Sequence, residues 1–264
     1  MELIDIGCNL THDSFAVDRV EVIQRARAAG VVQMVVTGAS EEGSVAALEL
    51  ARAHPGELFA TCGVHPHHAT DFTVDSEAMM REMSSQAGIV AIGETGLDYF
   101  RDFSPRDVQR KAFERQLQIG MDCGLPLFLH QRDAHEDFIA IVREVRDQLS
   151  DLVVHCFTGT KRELFQCLDL DCFVGITGWI CDERRGTHML EFMQEIPAQR
   201  LLIETDSPYL KPRNLRPRVK AHRNEPQWLP WIAQTLAACR GETVEQLAAQ
   251  TTAIARRFFR LENE

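Results

Sequence analysis

Eight short apolar segments, rich in β-branched residues, recur along the 264 residues of the chain and alternate with segments of helical periodicity. They cover residues 3–8, 31–39, 58–64, 89–98, 126–130, 152–155, 171–179 and 200–206. Strands that are apolar throughout are typical of a parallel sheet buried on both faces. Eight such strand–helix units close best as a (β/α)8 TIM barrel. A last helical pattern, from Thr243 to Phe258, predicts an extra C-terminal helix.

An open, doubly wound sheet is the alternative architecture. Such sheets commonly open a helix with G-x-G-x-x-G after the first strand, and the sequence contains neither that motif nor a P-loop. The sequence therefore favours the closed barrel. A chain of this length with 45% hydrophobic residues can bury one large core, and we expect residues 1–264 to form a single domain.

Four apolar segments end in side chains that can bind a metal ion. Glu94 ends the apolar part of I-V-A-I-G-E-T-G-L-D, and His130, His155 and Asp206 end three later segments. The carboxyl ends of barrel strands form the active face, and side-chain alternation allows all four groups to point into the barrel mouth. One polar residue at such a position is usually a solvated acid or a hydrogen-bonded core histidine. Four of these types at four ends predict a divalent-cation site.

Five segments give the chain a specific resemblance to the TatD family of metal-dependent deoxyribonucleases, within the amidohydrolase-like hydrolases. They are G-V-H-P-H (63–67), I-G-E-T-G-L-D (92–98), L-H-Q-R-D (129–133), H-C-F-T-G (155–159) and I-E-T-D-S-P-Y-L (203–210). The resemblance implies a metal-bearing barrel that hydrolyses DNA phosphodiesters, with Glu94, His130 and His155 as metal ligands. It also implies that Asp206 binds metal and handles the proton of the attacking water, and that His65 lies near the substrate phosphate. Glu94 and Asp206 are thus the predicted catalytic residues, and any second metal would depend on Glu94 as a bridge.

The first strand departs from the pattern of most relatives. Their H-x-H pair would fall on Gly7 and Asn9, of which the first cannot bind a metal and the second is at best a weak oxygen ligand. The chain here resembles the TatD subgroup, which also lacks the pair and shares the C-D-E-R-R-G segment at residues 181–186. For that subgroup the resemblance implies a 3′ to 5′ exonuclease that prefers single strands. We expect one firmly bound metal and a second that arrives with the substrate.

The ligand types do not fix the metal. Oxygen ligands suit Mg²⁺, the favoured ion, or Mn²⁺, whereas two histidines also suit Zn²⁺.

Local positive charge is the second expected feature of the site. A net charge of −11 argues against a protein held on nucleic acid by global charge, so any phosphate contact must be local. The loop after the eighth strand carries Lys211, Arg213, Arg216, Arg218, Lys220 and Arg223 without an intervening acid. This run predicts a phosphate track, although a solvated loop explains the charges equally well. Arg132, two residues after His130, is a further predicted phosphate contact.

Aromatic residues follow several of the predicted strands. They are Tyr99, Phe100, Phe103, Phe157 and Trp179. Such rings can stack on unpaired bases, but they more often pack under loops, and the sequence leaves both interpretations open.

Cysteine usage and hydropathy bear on the compartment. The eight cysteines are scattered without a C-x-x-C pair, as expected of small core residues in a reducing compartment. The sequence shows no signal-peptide pattern and no apolar run of the roughly 18 residues that a membrane span needs. We therefore expect a cytoplasmic, monomeric protein without membrane contact.

Three functions are compatible with these observations. The favoured one is a metal-dependent exonuclease acting on single-stranded DNA and also RNA, with a role in DNA repair or nucleic-acid turnover. The second is a small-molecule amide, ester or lactone hydrolase, because related barrels use similar ligands on carbonyl groups. The third is a catalytically silent barrel that acts as a binding module, and the four retained ligands argue against it.

Overall fold

The computed structural model describes residues 1–217 and 222–261, and within them eight strands form one sheet in the order β1 to β8. The strands are β1 Leu3–Cys8, β2 Val31–Val36, β3 Leu58–Cys62, β4 Ile89–Asp98, β5 Leu127–Arg132, β6 Leu152–Val154, β7 Phe173–Ile176 and β8 Leu201–Ile203. A parallel bridge between Cys8 and Ser207 joins β1 to the chain that follows β8. This sequential parallel order confirms the predicted (β/α)8 barrel and excludes the doubly wound alternative.

Nine α-helices alternate with or follow these strands in the described part of the chain. They are α1 Arg19–Ala28, α2 Glu41–Ala53, α3 Val74–Ser84, α4 Arg106–Cys123, α5 His135–Val145, α6 Lys161–Leu168, α7 Thr187–Leu190, α8 Leu229–Arg240 and α9 Val244–Phe259. Thr243 and Gln246 form the expected capping box of α9, which is the predicted C-terminal helix. Gly241 ends α8 in the left-handed conformation, with φ of 69°. None of the described helices has the length and apolar composition needed to cross a membrane.

Two compact units make up the chain, and we name each after its principal carboxylate. The Glu94 unit comprises Thr37–His155 and Arg162–Phe173, and the Asp206 unit comprises Met1–Val36, Cys156–Lys161 and Val174–Glu264. The Glu94 unit buries Phe113 and Phe138, whose stacked rings have centroids 5.5 Å apart. The Asp206 unit buries Phe258 and Phe259, in edge-to-face contact at 4.6 Å. That residues 1–264 form a single domain stays a prediction.

Several predicted strand ends lie elsewhere. Glu94 and His130 lie inside β4 and β5, whereas His155 directly follows β6. β8 ends at Ile203, three residues before Asp206, which adopts a left-handed conformation with φ of 51°. The Asp206 N–H donates to the carbonyl of Gly7 at 2.8 Å, so this residue belongs to a turn that is fastened to β1.

Candidate metal centre

Strand β4 carries Glu94 between Gly93 and Gly96, two positions whose backbone conformation requires glycine. Gly93 and Gly96 have φ values of 141° and 147°, which L-residues with side chains rarely adopt. A Cβ on Gly93 would lie 2.1 Å from the carbonyl oxygen of Phe128, and one on Gly96 would lie 1.9 Å from that of His130. The G-E-T-G sequence therefore lets β4 approach β5 closely and brings Glu94 beside the strand that carries His130.

Three imidazole rings surround one oxygen of Glu94. Its Oε1 lies 2.7 Å from Nε2 of His155, 2.9 Å from Nδ1 of His130 and 3.4 Å from Nε2 of His65. One donor atom each from His65, Glu94 and His130 lie within 4.8 Å of one another. Imidazole nitrogens together with a carboxylate oxygen are a donor set that divalent transition metals bind. The chemistry and spacing of these side chains therefore fit a divalent cation.

Electrostatics favour the metal-binding protonation state at Glu94 and His65 but not at His130. Burial would lower the pKa of His130, but its contacts with Asp98 and Glu94 raise it, so a metal ion would displace a proton there. Burial alone would raise the pKa of Glu94, but the neighbouring imidazoles, His155 first, outweigh it and hold that pKa well below its ordinary value. Burial lowers the pKa of His65 well below its ordinary value, more than Glu94 raises it. A charged carboxylate and a neutral imidazole are the protonation states that bind metal ions.

A second carboxylate, Asp98, lies behind the cluster. Its Oδ2 is 2.8 Å from Nε2 of His67 and 3.5 Å from Nε2 of His130. Its Oδ1 accepts the backbone N–H groups of Phe100 and Arg101 at 3.0 Å and 2.8 Å. Burial opposes ionisation of Asp98, but its contacts with the two histidines and Arg101 lower its pKa far below the usual range. Asp98 is therefore hydrogen-bonded to His67 and only approaches His130, whose buried Nε2 has no hydrogen-bond partner among the described residues. It lies on the side of the His130 ring opposite Glu94, where carboxylates commonly orient metal-binding histidines.

Neither Asp98 nor His67 is among the site residues predicted from the sequence. Asp98 follows Glu94 by four residues in the same strand, which is the one signal that the sequence offers, but the register shift of β4 against β5 between Ile92 and Thr95 interrupts the regular pairing from which its neighbours could be inferred.

The Asp206 unit holds its acids by a different set of contacts. Nδ2 of Asn9 donates to Oδ1 of Asp206 at 3.1 Å and to the carbonyl of Ser207 at 3.2 Å. The buried Asp5 accepts the N–H and the hydroxyl of Thr205, at 2.9 Å and 2.5 Å. Asn9, which stands where most relatives carry the second histidine of H-x-H, thus orients Asp206 through its amide N–H.

Burial raises the pKa of Asp5 to about 8, against the opposing effect of the Thr205 bonds. The hydrogen bonds of Asp5 fix the backbone of Thr205, the residue immediately before Asp206. Asp5 and Asn9 therefore both position the turn that carries Asp206.

The predicted phosphate-binding cations have protein partners. The guanidinium of Arg132 lies 3.9 Å from the centroid of the Phe100 ring. Arg213 is 3.2 Å from Glu183 and 3.5 Å from Asp182. Burial lowers the pKa of Lys211. Arg218 and Lys220, also part of the predicted track, lie outside the described residues.

The aromatic residues after the strands differ in how far each ring is buried, stacked against an arginine or exposed to solvent. Phe157 is buried, Trp179 lies under the guanidinium of Arg185 at 4.2 Å, and Arg106 lies 4.3 Å from the ring centroid of Tyr99. Phe100 and Phe103 are 54% and 67% exposed, and Phe103 is the most exposed aromatic residue of the described chain. The packing interpretation therefore holds for Phe157, and Phe103 has the most open ring of the set.

Fold and cluster together define a (β/α)8 protein with a buried group of histidines around a carboxylate. The family model described as TatD related DNase matches residues 4–260, and the chain belongs to that family.

Similarity to individual proteins extends over almost the whole chain. A protein of Erwinia tasmaniensis named 3′-5′ ssDNA/RNA exonuclease TatD is 51% identical over 259 residues, which cover 98% of this chain and 100% of that protein. A protein of the same name from Salmonella typhimurium is 46% identical over 257 residues, covering 97% and 98%. The crystal structure of a TatD homologue from Escherichia coli K12 has a TM-score of 0.88 at 25% identity over 98% of both chains. An uncharacterised amidohydrolase from Saccharomyces cerevisiae shares the fold, with a TM-score of 0.87 at 24% identity, covering 98% of this chain and 100% of the other.

Proposed function

We propose that this protein is a metal-dependent 3′ to 5′ exonuclease that hydrolyses the phosphodiester bonds of single-stranded DNA and RNA. The observation that carries the proposal is the group of three imidazole nitrogens within 3.4 Å of one oxygen of Glu94. The family membership and the exonuclease names of relatives about 50% identical support the substrate class.

Glu94, His130 and His155 are the proposed metal ligands. His65, which the sequence reasoning assigned to the substrate phosphate, is close enough to Glu94 to join them, and we propose that it contacts either the metal or the phosphate bound to it. When bound, a divalent cation lowers the pKa of a water molecule and polarises the phosphate. Mg²⁺ is the proposed ion, and the histidine-rich donor set keeps Mn²⁺ and Zn²⁺ as the alternatives to be tested.

Glu94 and Asp206 have different proposed roles in metal binding and proton transfer. Glu94 keeps its negative charge in a buried place, so it can hold a cation and bridge a second one. We propose that Asp206 accepts the proton of the attacking water and provides a further metal ligand, a role for which the Asn9 amide orients its carboxylate. The oxygen of water would bond to the phosphorus of the 3′-terminal nucleotide, and the bond from that phosphorus to the 3′ oxygen of the preceding nucleotide would break. The proton taken from water is then available for this leaving 3′ oxygen.

Arg132, Lys211 and Arg213 are the proposed phosphate contacts of the strand. Arg132 is held at the end of β5 by the Phe100 ring, which limits the entropy that it loses on binding a phosphate. We further propose a monomer in the cytoplasm with a role in DNA repair or nucleic-acid turnover. The scattered cysteines, which suit a reducing compartment, support the location.

The proposal is tested with 5′-labelled single-stranded DNA, single-stranded RNA and duplex DNA, first in chelator and then with added Mg²⁺, Mn²⁺ or Zn²⁺. We expect no cleavage in chelator and a ladder that shortens from the 3′ end with a restored metal, fastest on single strands. His155→Ala and Asp206→Asn should lose most activity while retaining the wild-type circular dichroism spectrum. Glu136→Gln, which changes an acid whose side chain is 80% exposed, is the matched control and should cleave normally.

Two outcomes would overturn the proposal. One is the absence of cleavage with every metal and every nucleic acid. The other is cleavage that is unaffected in both His155→Ala and Asp206→Asn. Metal-dependent hydrolysis of an amide, ester or lactone without any nuclease activity would instead support the small-molecule hydrolase. Folded protein that binds single strands but hydrolyses nothing would support the binding module.

A further inference from the structure

We infer that Phe103 is a stacking platform for an unpaired base of the substrate strand, and that it contributes to the preference for single strands. The inference rests on the proposed function, because it names a subsite of the same centre. It starts from an exposed ring on the short loop between β4 and α4.

A row of rings connects Phe103 to the candidate metal centre. The centroid of the Phe103 ring lies 4.8 Å from that of His67, His67 lies 4.2 Å from His65, and His65 lies 4.4 Å from His130. All three contacts are edge-to-face, with interplanar angles between 62° and 73°. Phe103 is therefore the outermost ring of a continuous series that begins at a proposed metal ligand.

The backbone beside Phe103 is firmly anchored although its ring is open. Ser104 is fully buried, and its hydroxyl donates to the carbonyl of His67 at 3.1 Å. The side chain of Gln109, also buried, donates to the carbonyl of Ser104 at 2.8 Å. A phenylalanine that is 67% exposed contributes little apolar burial to the fold. An anchored backbone with an exposed ring is the arrangement expected of a preorganised binding surface.

The occupant is identified by the chemistry around the ring. Phe100, three residues before Phe103 on the same loop, is covered at 3.9 Å by the guanidinium of Arg132, the last residue of β5. A cation that can contact a phosphate therefore lies against the loop that carries the open ring. Stacking on a ring face with a neighbouring cation is how proteins bind single strands without reading their sequence. Stacking on neighbouring base pairs covers both faces of every interior base of a duplex, whereas an unpaired base can turn a face to Phe103.

The test compares an ordinary single-stranded oligonucleotide with versions in which one of the last four residues at the 3′ end is abasic. Wild type, Phe103→Ala and Phe103→Trp are measured on each oligonucleotide, both for kcat/KM with metal and for equilibrium binding in chelator by fluorescence anisotropy. Phe165→Ala, which removes an exposed phenylalanine from α6, is the matched control. Mn²⁺ binding measured by calorimetry checks that the centre itself is intact in each variant.

We expect an abasic residue at one position to weaken wild-type binding and kcat/KM by roughly 5- to 100-fold. Phe103→Ala should lose about the same factor on the ordinary strand and become indifferent to the abasic position, whereas Phe103→Trp and Phe165→Ala should behave like wild type. If each abasic residue weakens binding and kcat/KM of Phe103→Ala as much as those of wild type, Phe103 does not stack on a base of the strand. If the wild type binds the strands but cleaves none of them, the nuclease proposal fails, and the anisotropy comparison still decides the platform.

Discussion

Three buried acids are held in opposite ways in the two units, by imidazoles around Glu94 and Asp98 and by uncharged donors around Asp5. In the Glu94 unit, Glu94 and Asp98 contact imidazole nitrogens, and both carboxylates have pKa values far below the usual range despite their burial. In the Asp206 unit, Asp5 accepts hydrogen bonds from neutral backbone and hydroxyl donors, and burial raises its pKa to about 8. Buried carboxylates thus stay charged beside bases and tend toward the neutral form among uncharged donors. The difference separates a group suited to bind a cation from one suited to support the fold.

The largest expected effect comes from removing the negative charge of Glu94, which tests whether the imidazole-bound acid holds a metal ion. Glu94→Gln keeps the shape of the side chain but removes the negative charge that three imidazoles surround. We expect a loss of activity of roughly 100- to 10,000-fold and a matching loss of metal affinity, measured by calorimetry with Mn²⁺. Glu2→Gln in the other unit, which neutralises an acid whose side chain is 62% exposed, is the contrasting variant and should retain metal binding. A Glu94→Gln protein that binds Mn²⁺ as wild type does would show that the cluster is a hydrogen-bonded core and not a metal centre.

Much of the Glu94 unit could be predicted from sequence because its signals are local. The predicted segment 89–98, which contains Glu94, has the same bounds as β4. Similar apolar runs predicted His130 in β5 and His155 directly after β6. The role of Asp98 was missed, since it depends on a contact with His130, 32 residues further along the chain. The register shift of β4 against β5 between Ile92 and Thr95 also could not be read from simple alternation.

Sequence reasoning predicted less of the Asp206 unit. The apolar run near Asp206 extends the predicted strand to residue 206, whereas β8 ends at Ile203 and a turn fastened to Gly7 follows. Asn9 was read only as a missing metal ligand. Its role as a donor to Asp206 requires a contact across 197 positions of the chain, which no periodicity in one sequence encodes. Likewise, the acids that pair with Arg213 are separated from it by about 30 residues, so the charge run alone suggested a more available track.

The next largest effect is expected at Asp98, the second imidazole-bound acid of the Glu94 unit. Asp98→Asn removes the charge that contacts His130 and His67, while its amide can still occupy the same space. We expect metal affinity and kcat/KM to fall by roughly 10- to 100-fold, as is typical for carboxylates that orient metal-binding histidines. Asp102→Asn, an acid on the same loop paired with Arg106, is the control and should leave the metal affinity unchanged. If Asp98→Asn binds Mn²⁺ normally but unfolds at lower urea concentration, Asp98 supports only the loop.

The counterpart in the Asp206 unit is a pH effect on stability. The pKa of Asp5 is about 8 in the folded protein and near 3.8 when exposed, so between these values the unfolded chain releases a proton that the folded chain retains. Asp5 therefore makes the free energy of unfolding fall as pH rises from about 4 to 8, by up to about 1.4 kcal/mol per pH unit. Asp5→Asn mimics the neutral acid and should remove this contribution. Urea unfolding of both proteins at pH 5, 6, 7 and 8 measures it, and parallel pH profiles would mean that Asp5 is charged in the fold.

The smallest expected effect concerns Arg213, where the Asp206 unit would contact the strand. Its guanidinium is paired with Glu183 and Asp182, so binding a phosphate exchanges one anionic partner for another and gains little. Arg213→Gln should weaken single-strand binding only a few-fold and reduce the slope of log K against log salt by at most about 0.7. Arg115→Gln, which breaks a comparable exposed ion pair with Glu77, is the matched control. Because a purely structural arginine changes stability but not counterion release, an Arg213→Gln slope equal to that of Arg115→Gln would remove Arg213 from the phosphate track.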